Sequence, residues 1–522
     1  MTAPVLMVQG TASSVGKSVV AAGLCRILRR RGLRVAPFKA QNMSLNAAVT
    51  LDSGEIARSV AVQAAAAGVE PTVDMNPILL KPEAGLRSQV IVRGRVWASL
   101  AAREYFARKL ELWPVVAESL DRLRAQYDVV VAEGAGSPAE LNLRDHDIVN
   151  MRVARHAGAA VVLIGDVDRG GIFAQLIGTL DLLRPEERAL VAGLVVNRFR
   201  GDPALFSTGV HILEERTGLP VFGVVPWVPD LGLPEEDSAA LDDPRAVPAP
   251  DRRSVRIAVV RLPRIANFDD FAPLQRMEGV GVEYVDRPER LADADLVVLP
   301  GSKSTVADLR FLRARGLADA LVAAHARGTP VLGICGGYQM LGLTLLDPDG
   351  VESEPGTEAG LGLLPHQTVF VREKRTCRVR ARLVAPRGPF AAAAGDDVEG
   401  YEIHVGRSDG PADATPLLRV TPRAGVAVDE PDGLVAPDGL VCGTYLHGLF
   451  ENESVRRSLV NWLRARRGDL SPVRGPAMPG AGGGTPDATT DPHERWADVL
   501  ETALDIPLLL ARCGVGRPGT RP

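Results

Sequence analysis

The sequence predicts an α/β protein of two doubly wound domains in tandem. Three observations predict it. Short apolar runs alternate with helix-length amphipathic segments through both halves, the pattern of parallel strands joined by crossover helices. A glycine-rich loop ending in Gly-Lys-Ser follows the first apolar run, at residues 10–18. A cysteine followed by two glycines stands at the end of a later run, at residues 335–337.

Composition narrows the function classes. A chain of 522 residues has room for two to four domains. It is 46% hydrophobic and 24% charged, an ordinary globular balance. A net charge of −4 argues against a general nucleic-acid binder, which would be basic. No apolar run approaches the ~20 residues that cross a bilayer, so no membrane partner is expected. No basic stretch precedes the first apolar run, so no signal peptide is expected. The cysteines, at 25, 335, 377, 442 and 513, are odd in number and form no CxxC pair. That points away from a zinc site or disulfide framework and towards a reducing cytoplasm. A small-molecule substrate is the expected partner, and a homo-oligomer is left open.

Residues 5–8 read as the first strand. They lead into Gly10-Thr11-Ala12-Ser13-Ser14-Val15-Gly16-Lys17-Ser18. A strict phosphate loop is G-x4-G-K-[ST]; here the first glycine comes one position early. The physics survives the extra residue: backbone N–H groups and the next helix N-terminus cradle phosphates. Gly10, Thr11, Ser13, Ser14, Val15, Gly16, Lys17 and Ser18 are therefore the expected ATP-binding loop. Lys17 offers charge to the β/γ oxygens, and Ser18 a ligand for Mg²⁺. A chance glycine-rich turn is the alternative. A helix over 19–30 ends in a basic turn and stops at Gly32.

Residues 35–38 form the next strand. The polar run Lys39-Ala40-Gln41-Asn42-Met43-Ser44-Leu45-Asn46 lies beyond its carboxyl end, where ligands sit in open α/β sheets. Residues 54–67 read as helix, 89–93 as strand, and 98–112 and 114–126 as helices. Residues 129–132 form a buried strand that ends at Glu133. An acid there, paired with a phosphate loop, is the usual second Mg²⁺ anchor; a helix cap is the alternative. Asp145-His146-Asp147 opens a helix to residue 157, where both acids can serve the helix dipole. Strands follow at 160–164, 190–196 and 221–225. Asn197, at the end of the second of these, joins the expected ATP-binding set.

The stretch from 226 to 253 is rich in Pro, Asp and Ala without periodicity. It divides a first domain, 1–235, and a linker, 236–253, from a second domain, 254–466. Strands restart at 255–260 and 296–299. The turn Pro300-Gly301-Ser302-Lys303-Ser304-Thr305 then presents donors at Gly301 and Ser302 towards the pocket of Cys335. Residues 331–334, Cys335, Gly336, Gly337 and a following helix describe a nucleophile elbow. The helix N-terminus favours the thiolate, and the N–H near Gly336 can receive an oxyanion. A buried structural cysteine is the alternative. Residues 378–384 read as a half-exposed strand. Across 400–406, alternation puts Tyr401, Ile403 and Val405 on one face and Glu402 and His404 on the other, a polar outer face in the plainest reading. Residues 441–444 form a strand leading to His447, which can take the thiol proton. Residues 467–522 read as a tail, with a Gly/Pro tract over 467–491 and a helix over 493–513.

These residues carry a resemblance over most of the chain. It resembles the cobyric acid synthase family, glutamine-dependent amidotransferases of cobalamin synthesis. The first half is similar to a dethiobiotin-synthetase-like ATP-binding domain, with its longer G-T-x-x-x-V-G-K-S loop. K-A-Q-N-M-S-L-N at 39–46, M-N-P-I-L-L-K-P at 75–82 and D-I-V-N-M at 147–151 resemble stretches particular to the family. The second half is similar to a class I glutamine amidotransferase domain. G-I-C-G-G-Y-Q-M-L-G carries the nucleophile at Cys335, G-T-Y-L-H-G-L-F the histidine at His447, and Y-E-I-H-x-G spans 401–406.

The resemblance implies a P-loop NTPase-type sheet followed by a glutamine amidotransferase-type sheet. It implies ATP- and Mg²⁺-dependent amidation of four peripheral carboxylates (b, d, e, g) of a corrinoid, adenosylcobyrinic acid a,c-diamide, with L-glutamine as nitrogen donor. Lys39, Asn42, Asp147, Tyr401, Glu402 and His404 become candidate substrate residues, and Ser18 and Glu133 the metal ligands. One departure matters. Most class I domains place a carboxylate two residues after the histidine, where this chain has Leu449. Cys335 and His447 are therefore read as a dyad, with nothing assigned to orient the imidazole. Two rivals remain: a cobyrinic or hydrogenobyrinic acid a,c-diamide synthase, and a nucleotide-switched partitioning-type ATPase.

Overall fold

The computed structural model describes residues 2–229, 231–233, 255–469 and 491–515. The linker expected over 236–253 and most of the Gly/Pro tract fall outside the described residues.

The first sheet has six strands in the order Val221–Pro226, Val191–Phe199, Ala160–Asp166, Val5–Gly10, Val129–Glu133, Val35–Lys39. All neighbours run parallel. The central strands are apolar and buried on both faces, as a helix-covered parallel sheet requires. Strand order reverses about Val5–Gly10, which sets a crevice at its carboxyl end. Between the strands Val35–Lys39 and Val129–Glu133, the chain builds a second sheet, ordered Gln41–Met43, Ile78–Pro82, Arg87–Val92, Arg95–Ala101. Two helix expectations are shortened there. Residues 55–57 form a strand before the helix Arg58–Ala67, and residues 98–101 end a strand before the helix Ala102–Arg108. β-Hairpin pairing overrides local helix propensity in both.

The second domain has a parallel sheet ordered Val280–Val285, Val255–Val260, Leu296–Leu299, Val331–Ile334, Val441–Thr444, closed by antiparallel Leu434–Val435. An antiparallel layer lies alongside, built on the long strands Gln367–Leu383 and Asp397–Asp409. Their alternation was legible only over 378–384 and 400–406. A four-residue break in register between Phe370 and Arg375 hides the rest of the first strand.

The two domains share a buried, charged interface. Tyr401 and Ile403 pack into the apolar core of the first domain. Buried Glu55 accepts from Lys81 at 2.6 Å and also pairs with Lys374 of the second domain. Burial alone would raise the Glu55 carboxyl, but the two ammonium groups hold it down to about 2.

The tail helix expected over 493–513 is two helices, Pro492–Ala503 and Ile506–Arg512. They pack on the first domain, not the second. Trp496 and Leu500 cover Gly23, where a Cβ would stand 2.3 Å from Leu500. Trp496 Nε1 donates to Val19 O at 2.6 Å, and Arg26 pairs with Asp491 and Glu494. Asp505 N donates to Phe222 O, so the chain end covers the sheet edge. Among the described residues, no helix is long and apolar enough to cross a membrane.

Candidate active site

The first pocket forms where strand order reverses. The helix Lys17–Arg30 starts at Gly16, whose φ of 97° suits glycine. A Cβ there would stand 2.2 Å from Asn197 Nδ2. Asn197 donates to Val15 O at 2.8 Å, so it braces the loop from a neighbouring strand. Ser13 and Ser14 lie exposed at the loop tip. Thr11 donates its N–H to Ile164 O, continuing the sheet from Gly10, and its hydroxyl to Gln175. Lys17 Nζ donates to Ala12 O at 2.8 Å and Gly136 O at 3.1 Å, which stretches it along the inside of the loop.

Glu133 is 1% exposed and faces this loop. Ser18 Oγ donates to it at 2.7 Å, Gln63 Nε2 at 2.6 Å, and Lys39 Nζ pairs with it at 2.8 Å. Strand register explains the meeting, since Lys39 and Glu133 are direct partners across parallel strands. Ser18, Lys39 and Glu133 are thus brought together as the sequence placed them. Gln63 was missed; it sits in an alanine-rich helix with no local signal. Asn42 is buried nearby on Gln41–Met43, and its Nδ2 has no partner among the described residues. Asp147 has a different place. Its carboxylate accepts N–H groups of Val149, Asn150 and Arg152 at 2.8–3.0 Å, capping the helix Met151–Ala157. The helix expected from 145 therefore begins at Met151. Asn150 in turn holds Ala135, just after Glu133, at both its N–H and C=O.

The second site is built at the end of Val331–Ile334. Cys335 has φ 51° and ψ −109°, a backbone region that L-residues avoid at a cost on the order of 1–3 kcal/mol. Its N–H donates to Thr444 O, and its C=O accepts from Gln339 N. The glycines after it are required by contact. A Cβ at Gly337 would meet Leu299 O at 2.0 Å, and one at Gly336 would meet Ser302 N at 2.8 Å. The strand Gly301–Ser302 pairs antiparallel with Ile265–Ala266. Lys303 N donates to Arg264 O in the same ladder, so the Ser302–Ile265 pair is the non-bonded one. The Ser302 N–H therefore points away from that strand, towards the elbow. Gly336, next to the thiol-bearing residue, packs on Ser302, and Gly301 lies against the ring of His447.

The imidazole of His447 lies close enough to the Cys335 thiol for the sulfur to act on its charge. Its Nδ1 bonds Asp270 Oδ2 at 2.7 Å, and Gly448 N–H donates to Asp270 Oδ1 at 2.9 Å. Tyr401 stacks on the imidazole at 5.3 Å. Burial opposes charge on this ring, but the Asp270 carboxylate and the Cys335 sulfur outweigh it and raise the imidazolium to about 10. With Nδ1–H given to Asp270, Nε2 is left to hold the proton taken from the thiol. The sequence assigned nothing to orient the imidazole; in the structure Asp270 holds its Nδ1, so Cys335, His447 and Asp270 are arranged as a candidate triad. Asp270 comes from the run Asn267-Phe268-Asp269-Asp270, 177 residues before the histidine, and so occupies no position relative to it that a motif could mark. Replacing Asp270 by Asn is expected to keep the fold and cut glutamine hydrolysis roughly 10²- to 10⁴-fold. Steady-state assays checked by circular dichroism measure it.

The outer-face expectation for Glu402 and His404 is also corrected. Both are buried, because that face packs inside the second domain while Tyr401 and Ile403 meet the first. Glu402 accepts from Arg423 at 3.1 Å and from Cys377. His404 bonds Gly406 O through Nδ1 and stacks on Tyr445 at 3.9 Å. Burial pushes it down to about 3, so it is neutral. Between Glu402 and His404, Ile403 O lies 3.6 Å from Cys335 Sγ.

Comparison with known proteins gives the family of each domain. Residues 6–239 match the CobQ/CobB/MinD/ParA nucleotide binding domain, and residues 256–455 match the CobB/CobQ-like glutamine amidotransferase domain. The cobyric acid synthase of Chloroflexus aurantiacus is 55% identical over 97% of this chain and 98% of that protein. The cobyric acid synthase of Chloroflexus aggregans is 58% identical over 89% and 92%, and that of Sorangium cellulosum 51% over 99% and 100%. A partitioning-type ATPase accounts for only the first of these domains. The chain, an ATP-dependent, glutamine-hydrolysing amidotransferase of two α/β domains, belongs to the cobyric acid synthase family.

Proposed function

We propose that this chain amidates the b, d, e and g carboxylates of adenosylcobyrinic acid a,c-diamide, using glutamine nitrogen and ATP. The observation that carries the proposal is the thiol of Cys335, set on a strained elbow against a histidine that Asp270 orients. His447 Nε2 takes the thiol proton, and the sulfur attacks the glutamine amide carbon. The N–H groups of Ser302 and Gly336 receive the oxyanion. The imidazolium returns its proton as the C–N bond breaks, ammonia leaves, and water hydrolyses the glutamyl thioester. Tyr401 stacks on the His447 ring, and Glu402 and His404 stand either side of Ile403, whose carbonyl lies by the sulfur, so the substrate they would serve is glutamine.

In the other domain a corrinoid carboxylate oxygen attacks the γ-phosphorus of ATP and ADP leaves. A carboxylate is a poor acylating agent, and the acyl phosphate is what ammonia can attack, releasing phosphate. Lys17 neutralises charge on the transferred group. Ser18 Oγ and the Glu133 carboxylate are adjacent hard-oxygen donors, the ligand type Mg²⁺ takes. These two residues would hold the ion, which supplies charge to the β- and γ-oxygens. Lys39 and Asn42 lie beside that pocket, and Asp147 caps the helix behind it; we place the corrinoid at this crevice.

The test is a count of nitrogens. Incubation of the a,c-diamide corrinoid with ATP and ¹⁵N-amide glutamine should give a product carrying four labels by mass spectrometry, and none without ATP. No labels on the a,c-diamide, with two on unamidated cobyrinic acid, would instead make the chain an a,c-diamide synthase.

A further inference from the structure

We infer that Asn46 and Arg58, residues of the nucleotide-binding domain, are positioning residues for the glutaminase triad of the other domain. The inference rests on the reading of Cys335 as the glutaminase nucleophile.

One short segment, residues 265–270, sets both halves of the thiol site. Its first two residues pair with Gly301–Ser302, which presents the oxyanion donor. Its last residue holds His447 and the Gly448 N–H. Between these points Tyr284 of the second domain holds Phe268 O at 2.8 Å, and the remaining side-chain bonds come from the first domain. Asn267 has φ 53° and ψ 46°, left-handed for a residue with a Cβ. Its Oδ1 accepts the N–H of Ala47 at 2.9 Å, while Asn46 Oδ1 accepts the N–H of Phe268 at 3.2 Å. Each asparagine thus satisfies a backbone donor of the opposite domain. Both are buried, at 1% and 2% exposure, so neither bond is exchanged cheaply for water.

Arg58 fixes the next residue along. Its guanidinium pairs with Asp269 at 2.8 Å and approaches Glu451 at 3.7 Å. Its own N–H donates to Asn46 O, which ties the two positions into one clasp. Asp269 and Asp270 are consecutive buried carboxylates. Arg58 is the cation that faces them from the first domain, with Tyr284, Tyr401, His447 and Glu451 the other titratable groups around the pair. Without Arg58 two adjacent buried acids would repel, and Asp270 would turn from His447. The clasp also has a link to the nucleotide site. Asn46 ends the run that begins at Lys39, whose ammonium pairs with Glu133 beside the phosphate loop.

A neighbouring contact supplies the control. Arg378 of the second domain donates to Val49 O at 3.0 Å and pairs with Glu70 at 2.8 Å, crossing the same interface without touching residues 265–270. In the full-length chain, Asn46→Ala and Arg58→Gln should lower kcat for glutamine hydrolysis roughly 10- to 100-fold, with KM within about threefold and ammonia-driven amidation within about twofold. Arg58→Lys should recover part of the loss, and Arg378→Ala should leave hydrolysis unchanged. Unchanged hydrolysis in Asn46→Ala and Arg58→Gln would overturn the inference. So would an equal loss in Arg378→Ala, which would mean general loosening, or a parallel loss of ammonia-driven amidation. If Cys335→Ala hydrolysed glutamine like the parent, it is the glutaminase reading that would fail, and separately.

Discussion

Replacing Cys335 by alanine is expected to abolish glutamine-dependent amidation, by about 10⁴-fold or more, while high ammonia still supports ATP-dependent amidation. Nothing else at the elbow can substitute for the sulfur. The two residues after Cys335 are glycines, and Ser302, His447 and the backbone of Ile403 lie around the elbow. Alanine keeps the cap of the following helix and the hydrogen bonds to Thr444 and Gln339, all of which are backbone interactions. The nucleotide pocket lies across the domain interface and shares no side chain with the thiol. Free ammonia should therefore reach the acyl phosphate from solution at alkaline pH. Loss of both activities would mean the cysteine is structural.

Lys17→Ala is expected to remove amidation with either nitrogen source, by roughly 10³-fold or more, and to leave glutamine hydrolysis measurable. The lysine is 7% exposed and lies along the inside of its loop, held by two carbonyl oxygens that compete weakly with a triphosphate. Removing it takes the one flexible cation of the loop away from the transferred phosphoryl group. Gly16, Asn197 and Ser18 do not depend on that ammonium, so the loop itself should persist. Amidation assays with glutamine and with ammonia, beside a glutaminase assay, separate the outcomes. Unchanged amidation would remove the phosphate-loop assignment.

The parts legible in the sequence are those whose neighbours in space are neighbours in the chain. The phosphate loop, the elbow at Cys335 and the strand leading to His447 each write their geometry in a few consecutive residues. Glu133 was legible because strand ends line up along one edge of a parallel sheet. Asp270 was not, since it reaches His447 only after two strands and their crossovers have been placed. Two adjacent acids after an asparagine were the one hint, and such pairs are common at exposed turns. Glu402 and His404 misled for a related reason. Alternation shows that a strand has two unlike faces, but not that a second sheet layer covers one and another domain the other. The clasp by Asn46 and Arg58 depends on that docking; Asn46 closes a run the sequence singles out, but nothing in the run shows which domain it meets.

The helices at residues 492–512 complete the apolar cluster around the helix that follows the phosphate loop. The amidotransferase domain is thus a guest inside its host fold, entered after Val221–Pro226 and left before Pro492. During synthesis the host must wait. Leu24 and Leu28 belong to a cluster whose covering residues, Trp496 and Leu509, emerge from the ribosome only after the whole guest has been made. The nucleotide-binding half, first to be translated, is therefore the last to be finished, and a chain stopped short of the final helices would carry an assembled glutaminase on an uncapped host.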